Sequence, residues 1–205
     1  MKRLLPLLIL ASTLSAEPPS VTAQIPAYTM YAGTTAPGVE VDLGRMWIQG
    51  ESQSLSMSQL RVSFCDHLDF RASNGMFAIQ ASANASDSLT VGVLKQWGHD
   101  YDKWYFMASQ KVSDTLTLDV NFDTSKSLQD GSHTETYAGN FYYTKDRWSF
   151  GLDVAHNVAQ MRNTTGMLWG LYMPKRKLNF WIGVSQELQL SDKATTLAVG
   201  TSFRF

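Results

Sequence analysis

From Thr195 to the last residue the chain alternates between two kinds of side chain. Leu197, Val199, Thr201, Phe203 and Phe205 share one face; Thr196, Ala198, Gly200, Ser202 and Arg204 share the other. A period of two belongs to a strand, whose successive side chains leave opposite faces, and it marks two faces with different surroundings. The same pattern recurs over 58–68, 76–85, 88–97, 103–112, 115–124, 134–144, 147–158, 166–173 and 178–190, with weaker candidates at 39–47 and 25–34. It is strictest where Leu116, Leu118, Val120 and Phe122 oppose Thr117, Asp119, Asn121 and Asp123. In 166–173, Met167, Trp169, Leu171 and Met173 form the apolar face, opposite Gly170 and Tyr172. No segment carries a helical period.

A soluble β-sandwich produces the same alternation, with one face buried and one solvated. Here the polar faces are built mainly of Gly, Ala, Ser, Thr and Asn, which suit a narrow lumen, where a solvated face would carry more Lys and Glu. The expectation is an all-β, antiparallel up-and-down transmembrane β-barrel of ten to twelve strands, twelve favoured. Twelve strands of about ten residues occupy about 120 positions and leave connections of ordinary length. The terminal Phe205, with apolar residues at alternate positions before it, resembles the C-terminal assembly signal of Gram-negative outer-membrane β-barrels, the porin-like class. That resemblance implies Phe203 and Phe205 as the signal, the barrel-assembly machinery and outer-membrane lipids as partners, and the bacterial outer membrane as the location.

Residues 1–16 read as a secretory signal peptide. Lys2 and Arg3 form its charged start, Leu4 to Leu10 its apolar stretch, and Ala16 its cleavage site, with a second site after Ala23. Residues 24–205 then form a single barrel domain. The apolar stretch is too short to span a bilayer as a helix. The chain has 17 basic and 18 acidic residues, and loss of Lys2 and Arg3 leaves 15 against 18. Such a balance offers no basic surface for nucleic acid. Cys65 is the only cysteine, so no intramolecular disulfide can form.

The turns are repetitive. Ser86-Asp87-Ser88, Ser113-Asp114-Thr115 and Ser191-Asp192-Lys193 each lead into an alternating stretch, and Lys145-Asp146-Arg147 is a looser copy. An Asp in such a turn can bond its side chain to backbone N–H groups two residues on, which suits tight hairpins. Short connections at 86–88, 113–114, 145–146 and 174–177 alternate with longer ones at 70–75, 98–102, 125–133 and 159–165. Outer-membrane barrels have short periplasmic turns and longer external loops, so the long set is expected outside; the short turn at 191–193 breaks the rule. Trp97 and Trp104 mark one rim, and Tyr143 and Trp148 the other, as aromatic belts at two interfaces do.

Few residues suggest chemistry. Lipid A deacylase barrels place a His and a Ser two apart on the lipid-facing surface; here the residue two after His156 is Val158. His99 with Asp100 and Asp102 lacks a fourth ligand at a diagnostic spacing. Cys65, His67 and Asp69 fall at every second position of one presumed strand and are expected in a polar lumen network. The chain is expected to be no enzyme, with no catalytic residue, metal or cofactor. Arg61, Lys103, Lys111, Asp119, Asp123, Asp153, Glu187 and Arg204 are the candidate lumen-lining charges. They imply either a plugged interior or a weakly selective path for small polar solutes. The functional expectation is a small porin-like channel. The alternatives are a structural or surface-interaction barrel, a lipid-modifying barrel, and a soluble sandwich or lipocalin-like carrier.

Overall fold

The computed structural model describes residues 31–33, 37–73, 76–98, 101–158, 163–175, 177–188 and 195–205. Twelve strands follow in chain order: β1 Gly38–Ile48, β2 Leu55–Cys65, β3 Leu68–Ser73, β4 Met76–Asn84, β5 Leu89–Trp97, β6 Tyr101–Lys111, β7 Leu116–Ser127, β8 His133–Lys145, β9 Trp148–Asn157, β10 Asn163–Lys175, β11 Leu178–Glu187 and β12 Thr195–Arg204. Each pairs antiparallel with its sequence neighbours, and β1 pairs with β12, so the sheet closes on itself. Closure removes every sheet edge, which allows strands to cross lipid with all backbone groups satisfied. The expected signal peptide lies outside the described residues.

The alternation becomes inside and outside. Buried positions such as Asp119, Asn121 and Asp123 on β7 interleave with exposed or half-buried Leu118, Val120 and Phe122. Leu168 is 66% exposed, Phe64 62% and Phe205 61%. Apolar residues of this size are exposed on all twelve strands except where Gly, Ala or Thr intervenes, a surface that water-soluble monomers rarely carry.

Three expectations change. First, 58–68 is two strands: β2 ends at Cys65, Asp66 and His67 turn, and β3 starts at Leu68. The region read as a long loop at 70–75 is therefore mostly strand. Second, β11 stops at Glu187, so its connection to β12 is 188–194 and the exception at 191–193 disappears. Connections at the C-terminal end of the barrel are 66–67, 85–88, 112–115, 146–147 and 176–177, all short. At the opposite end they are 49–54, 74–75, 98–100, 128–132, 158–162 and 188–194. Third, β10 faces the other way. Met167, Trp169 and Leu171 are buried inside, while Leu168 faces out.

The repeated turns use serine, not the expected aspartate. Ser86 Oγ accepts from the N–H groups of Ser88 (3.3 Å) and Leu89 (3.1 Å). Ser113 Oγ accepts from Thr115 (3.3 Å) and Leu116 (3.2 Å) in the same way. The hydroxyl closes each hairpin locally, leaving the acidic side chain free to face water. The copy at Ser191 lies outside the described residues.

Candidate functional site

The interior of the barrel is the only place where charged side chains converge under burial among the described residues. Strands β12, β1, β2 and β3 bring Arg204, Glu40, Arg61 and Arg71 into one row, each opposite the next in register. Asp69 on β3 holds that row together. Its Oδ2 lies 2.5 Å from Arg61 Nη2, 2.6 Å from Arg61 Nε and 3.8 Å from Arg71 Nη2. Arg71 Nη2 also donates to Gln80 Oε1 on β4. Buried charges persist only when paired or solvated; the register sets Glu40 between Arg204 and Arg61, and Asp69 offsets the juxtaposed Arg61 and Arg71. Asp42, next inward on β1, accepts from Gln59 Nε2 at 3.4 Å.

The facing wall is more acidic. Asp119, Asn140 and Asp153 sit side by side on β7, β8 and β9. Asn140 Nδ2 donates to Asp119 Oδ2 at 3.5 Å and Trp169 Nε1 donates to Asn140 Oδ1 at 3.2 Å. Asp123 pairs with Lys103 at 3.0 Å, and that ammonium also lies 4.4 Å from the Tyr105 ring centroid. Glu40 Oε1, Asp42 Oδ1, Asp69 Oδ1 and Asp119 Oδ1 accept no hydrogen bond from the described residues. Such oxygens call for water or a cation beside them.

Between these walls lies an apolar patch of Tyr142, Met167, Trp169, Leu171, Trp181 and Ala198, flanked by Met46, Met57 and Met173. Large rings fit against the wall because glycines face them. A β-carbon at Gly151 would lie 2.4 Å from Trp169, and one at Gly200 would lie 2.3 Å from Trp181. The interior is thus half charged and half aromatic.

Of the sequence-derived lumen candidates, Arg61, Asp119, Asp123 and Asp153 are buried inside, and Lys103 is half-buried beside them. Glu187 and Arg204 are half-buried at strand ends, and Lys111 is exposed at the end of β6. Glu40, Asp42 and Arg71 were not among those candidates. The first two lie on a strand whose alternation is weak, and Arg71 lies in the segment read as a loop. The signal for it was Asp69 and Arg71 alternating with Phe70 and Ala72 directly after the Asp66-His67 turn.

On the outer surface, Trp97 and Trp104 lie towards the end opposite the C-terminus, where Lys95 sits 4.6 Å over the Trp104 ring and pairs with Asp102. Tyr143 and Trp148 lie at the C-terminal end, with the Trp148 ring 4.4 Å from that of Tyr172. Phe203 and Phe205 are exposed there too. Cys65 and His67 are exposed and do not join the Asp69 network, because the turn between β2 and β3 separates them. His99 and Asp100 lie outside the described residues. His156 Nδ1 is 2.9 Å from Thr164 Oγ1, a hydroxyl across the ladder on β10 where spacing along β9 had shown none. No carboxylate among the described residues bonds this His, so the pair lacks the third group that orients a catalytic base.

No protein-family model and no curated protein sequence matches this chain. Its likeness is to solved barrels. NanC porin superposes with a TM-score of 0.66 at 11% identity, covering 80% of this chain and 100% of that one. KdgM porin in complex with disordered oligogalacturonate gives 0.63 at 13% identity, covering 81% and 99%. The outer membrane protein Omp33 of Acinetobacter baumannii gives 0.52 at 10%, covering 82% and 98%. At these identities the likeness is one of fold, and the chain has the closed antiparallel β-barrel fold of outer-membrane porins.

Proposed function

We propose that this protein is a porin-like channel of the bacterial outer membrane that passes small polar solutes and catalyses no reaction. The observation that carries this reading is an interior lined by charged side chains inside a barrel jacketed by apolar ones. Glu40 Oε1, Asp42 Oδ1 and Asp119 Oδ1 have no donor among the described residues, which suits a wetted interior better than a purely structural one. Strands this apolar outside belong in lipid, reached after export under the leader at 1–16 and assembly through the Phe203/Phe205 signal. Among the buried and half-buried inward charges, Glu40, Asp42, Asp69, Asp119, Asp123, Asp153 and Glu187 face Arg61, Arg71, Lys103 and Arg204. Seven carboxylates against four cations give a weak preference for cations and neutral solutes. The KdgM structure is in complex with oligogalacturonate, a polyanion; this interior suits such a solute poorly.

The test is planar-bilayer conductance of refolded protein whose heat-modifiable migration on gels reports a folded barrel. Discrete conductance steps with a reversal potential on the cation side are expected. Folded protein that never conducts would end the channel reading.

A further inference from the structure

Residues Tyr31–Gly33, which precede β1, lie inside the barrel against β4, β5 and β6. Ala32 is fully buried among Ala78, Leu94, Tyr105 and Met107. Its N–H donates to Ser109 Oγ at 2.9 Å. Gln80 Nε2 lies 3.2, 2.9 and 3.0 Å from the carbonyl oxygens of Tyr31, Ala32 and Gly33. The Gln80 amide is oriented by Arg71 on its Oε1, and Arg71 in turn faces Asp69. A β-carbon at Gly92 would lie 2.3 Å from the Ala32 oxygen, so that position accepts the segment only as glycine. The wall thus offers an amide donor, a hydroxyl acceptor and a missing β-carbon, which match a peptide backbone and no particular side chain.

We propose that Tyr31–Gly33 is a built-in plug, and that conduction depends on its release from this backbone-binding site. The inference rests on the channel reading above. Gln80, Gly92 and Met107 lie near the middles of β4, β5 and β6, so the docked segment narrows the bore near mid-barrel. Gly38, where β1 begins, is four strands from β5 on the ring of twelve. The chain before β1 therefore has one described piece on a wall a third of the circumference away. A strand flank that simply left the barrel would meet no buried partner there.

The experiment uses refolded full-length protein and a bulky, membrane-impermeant maleimide. With Cys65→Ser, the thiol of Ala32→Cys is expected to label at least roughly tenfold slower than exposed Cys65 does in the unsubstituted barrel, the protection a docked site gives against local opening. Adding Gly92→Val, which puts a side chain where the Ala32 oxygen lies, should restore fast labelling and raise single-channel conductance in a barrel that still shows heat-modifiable migration. A disulfide between Ala32→Cys and Ser109→Cys should hold conductance low until it is reduced. Labelling of Ala32→Cys as fast as Cys65 overturns the plug, whatever the conductance. Faster labelling in Gly92→Val with no rise in an existing conductance overturns it too. Protection released by Gly92→Val, with no conductance in any variant, would sink the channel reading and leave the docked segment standing.

Discussion

Trp181 packs directly on Gly200: a β-carbon at position 200 would stand 2.3 Å from the indole Cζ2 and 2.5 Å from the Leu43 carbonyl oxygen. A β-carbon at Gly44, paired with Gly200 in register, would stand 2.9 Å from the same Cζ2. Two glycines on adjacent strands thus make room for one tryptophan inside the barrel. Gly200→Ala must displace the ring or the backbone and is expected to cost about 1–3 kcal/mol, the range for overpacking a tight interior. Gly170→Ala, facing outward with Phe150 at 3.4 Å, is the comparison and should be close to neutral. Urea unfolding midpoints in lipid vesicles distinguish the two.

Asp69 lies within ion-pair distance of both Arg61 and Arg71, all three under burial. Asp69→Asn leaves two guanidinium groups facing one another across β2 and β3. Breaking a buried pair from one side costs about 3–5 kcal/mol. Removing both charges with Arg61→Met in the same chain should recover much of that loss, read again from unfolding midpoints. A single substitution that unfolds no earlier than the parent would mean that water already compensates the arginines.

How far the sequence revealed the interior depended on contrast between faces. On β7, apolar Leu118 and Val120 against Asp119 and Asn121 made the inner face plain, and the structure has it so. On β10 the inner face is Met167, Trp169 and Leu171 and the outer face carries Gly166, Leu168 and Gly170, so hydrophobicity pointed the wrong way. An interior aromatic patch breaks the rule that apolar means lipid, and nothing within β10 alone discloses that Gly151 across the ladder receives Trp169. The Asp69–Arg61 pair was hidden for another reason. A two-residue turn at Asp66-His67 carries no glycine or proline, so the strand ran on through it. The weak alternation over 25–34 did not disclose the Tyr31–Gly33 contact, because residues 31–33 form no strand and are held by backbone groups.

Asp119 and Asp153 lie on the wall with only one cation, Lys103, among its described charges. With the channel open, Asp119→Asn together with Asp153→Asn should move the reversal potential towards zero in a salt gradient, since charged walls set selectivity. Lys103→Gln should move it the opposite way. A reversal potential unchanged by either would place the selective charges elsewhere.

Asp130, in the connection between β7 and β8, is fully exposed yet its carboxyl is held down at about 2. The Ser127 hydroxyl contributes most, followed by the N–H and hydroxyl of Ser132, at 3.0 and 2.8 Å from Oδ1. A depressed carboxylate stabilises its loop fully above the ordinary value of 3.8, and that help is lost as pH falls through about 2. An NMR titration of the Asp130 carboxyl should show the low midpoint, and Ser132→Ala should raise it.

Phe205 joins the seam at which the barrel closes. Its N–H donates to the Val39 oxygen at 2.8 Å, and its own carbonyl accepts from the Val39 N–H at 3.4 Å. Its ring stands exposed on the outer surface beside Phe203. Two features therefore meet in one residue: its backbone extends the β1–β12 ladder by one rung, and its ring stands on the exposed outer surface. Deleting Phe205 removes both, while Phe205→Ala keeps the backbone rung and removes the ring alone. If the ring is the assembly signal, both variants should lose outer-membrane insertion in cells to a similar degree. In that case Phe205→Ala should still refold in detergent with stability lowered by no more than about 1–2 kcal/mol, the value of partly exposed apolar contact. If insertion fails only on deletion, the seam's hydrogen bonds are what assembly requires, and the aromatic ending is a consequence of facing lipid.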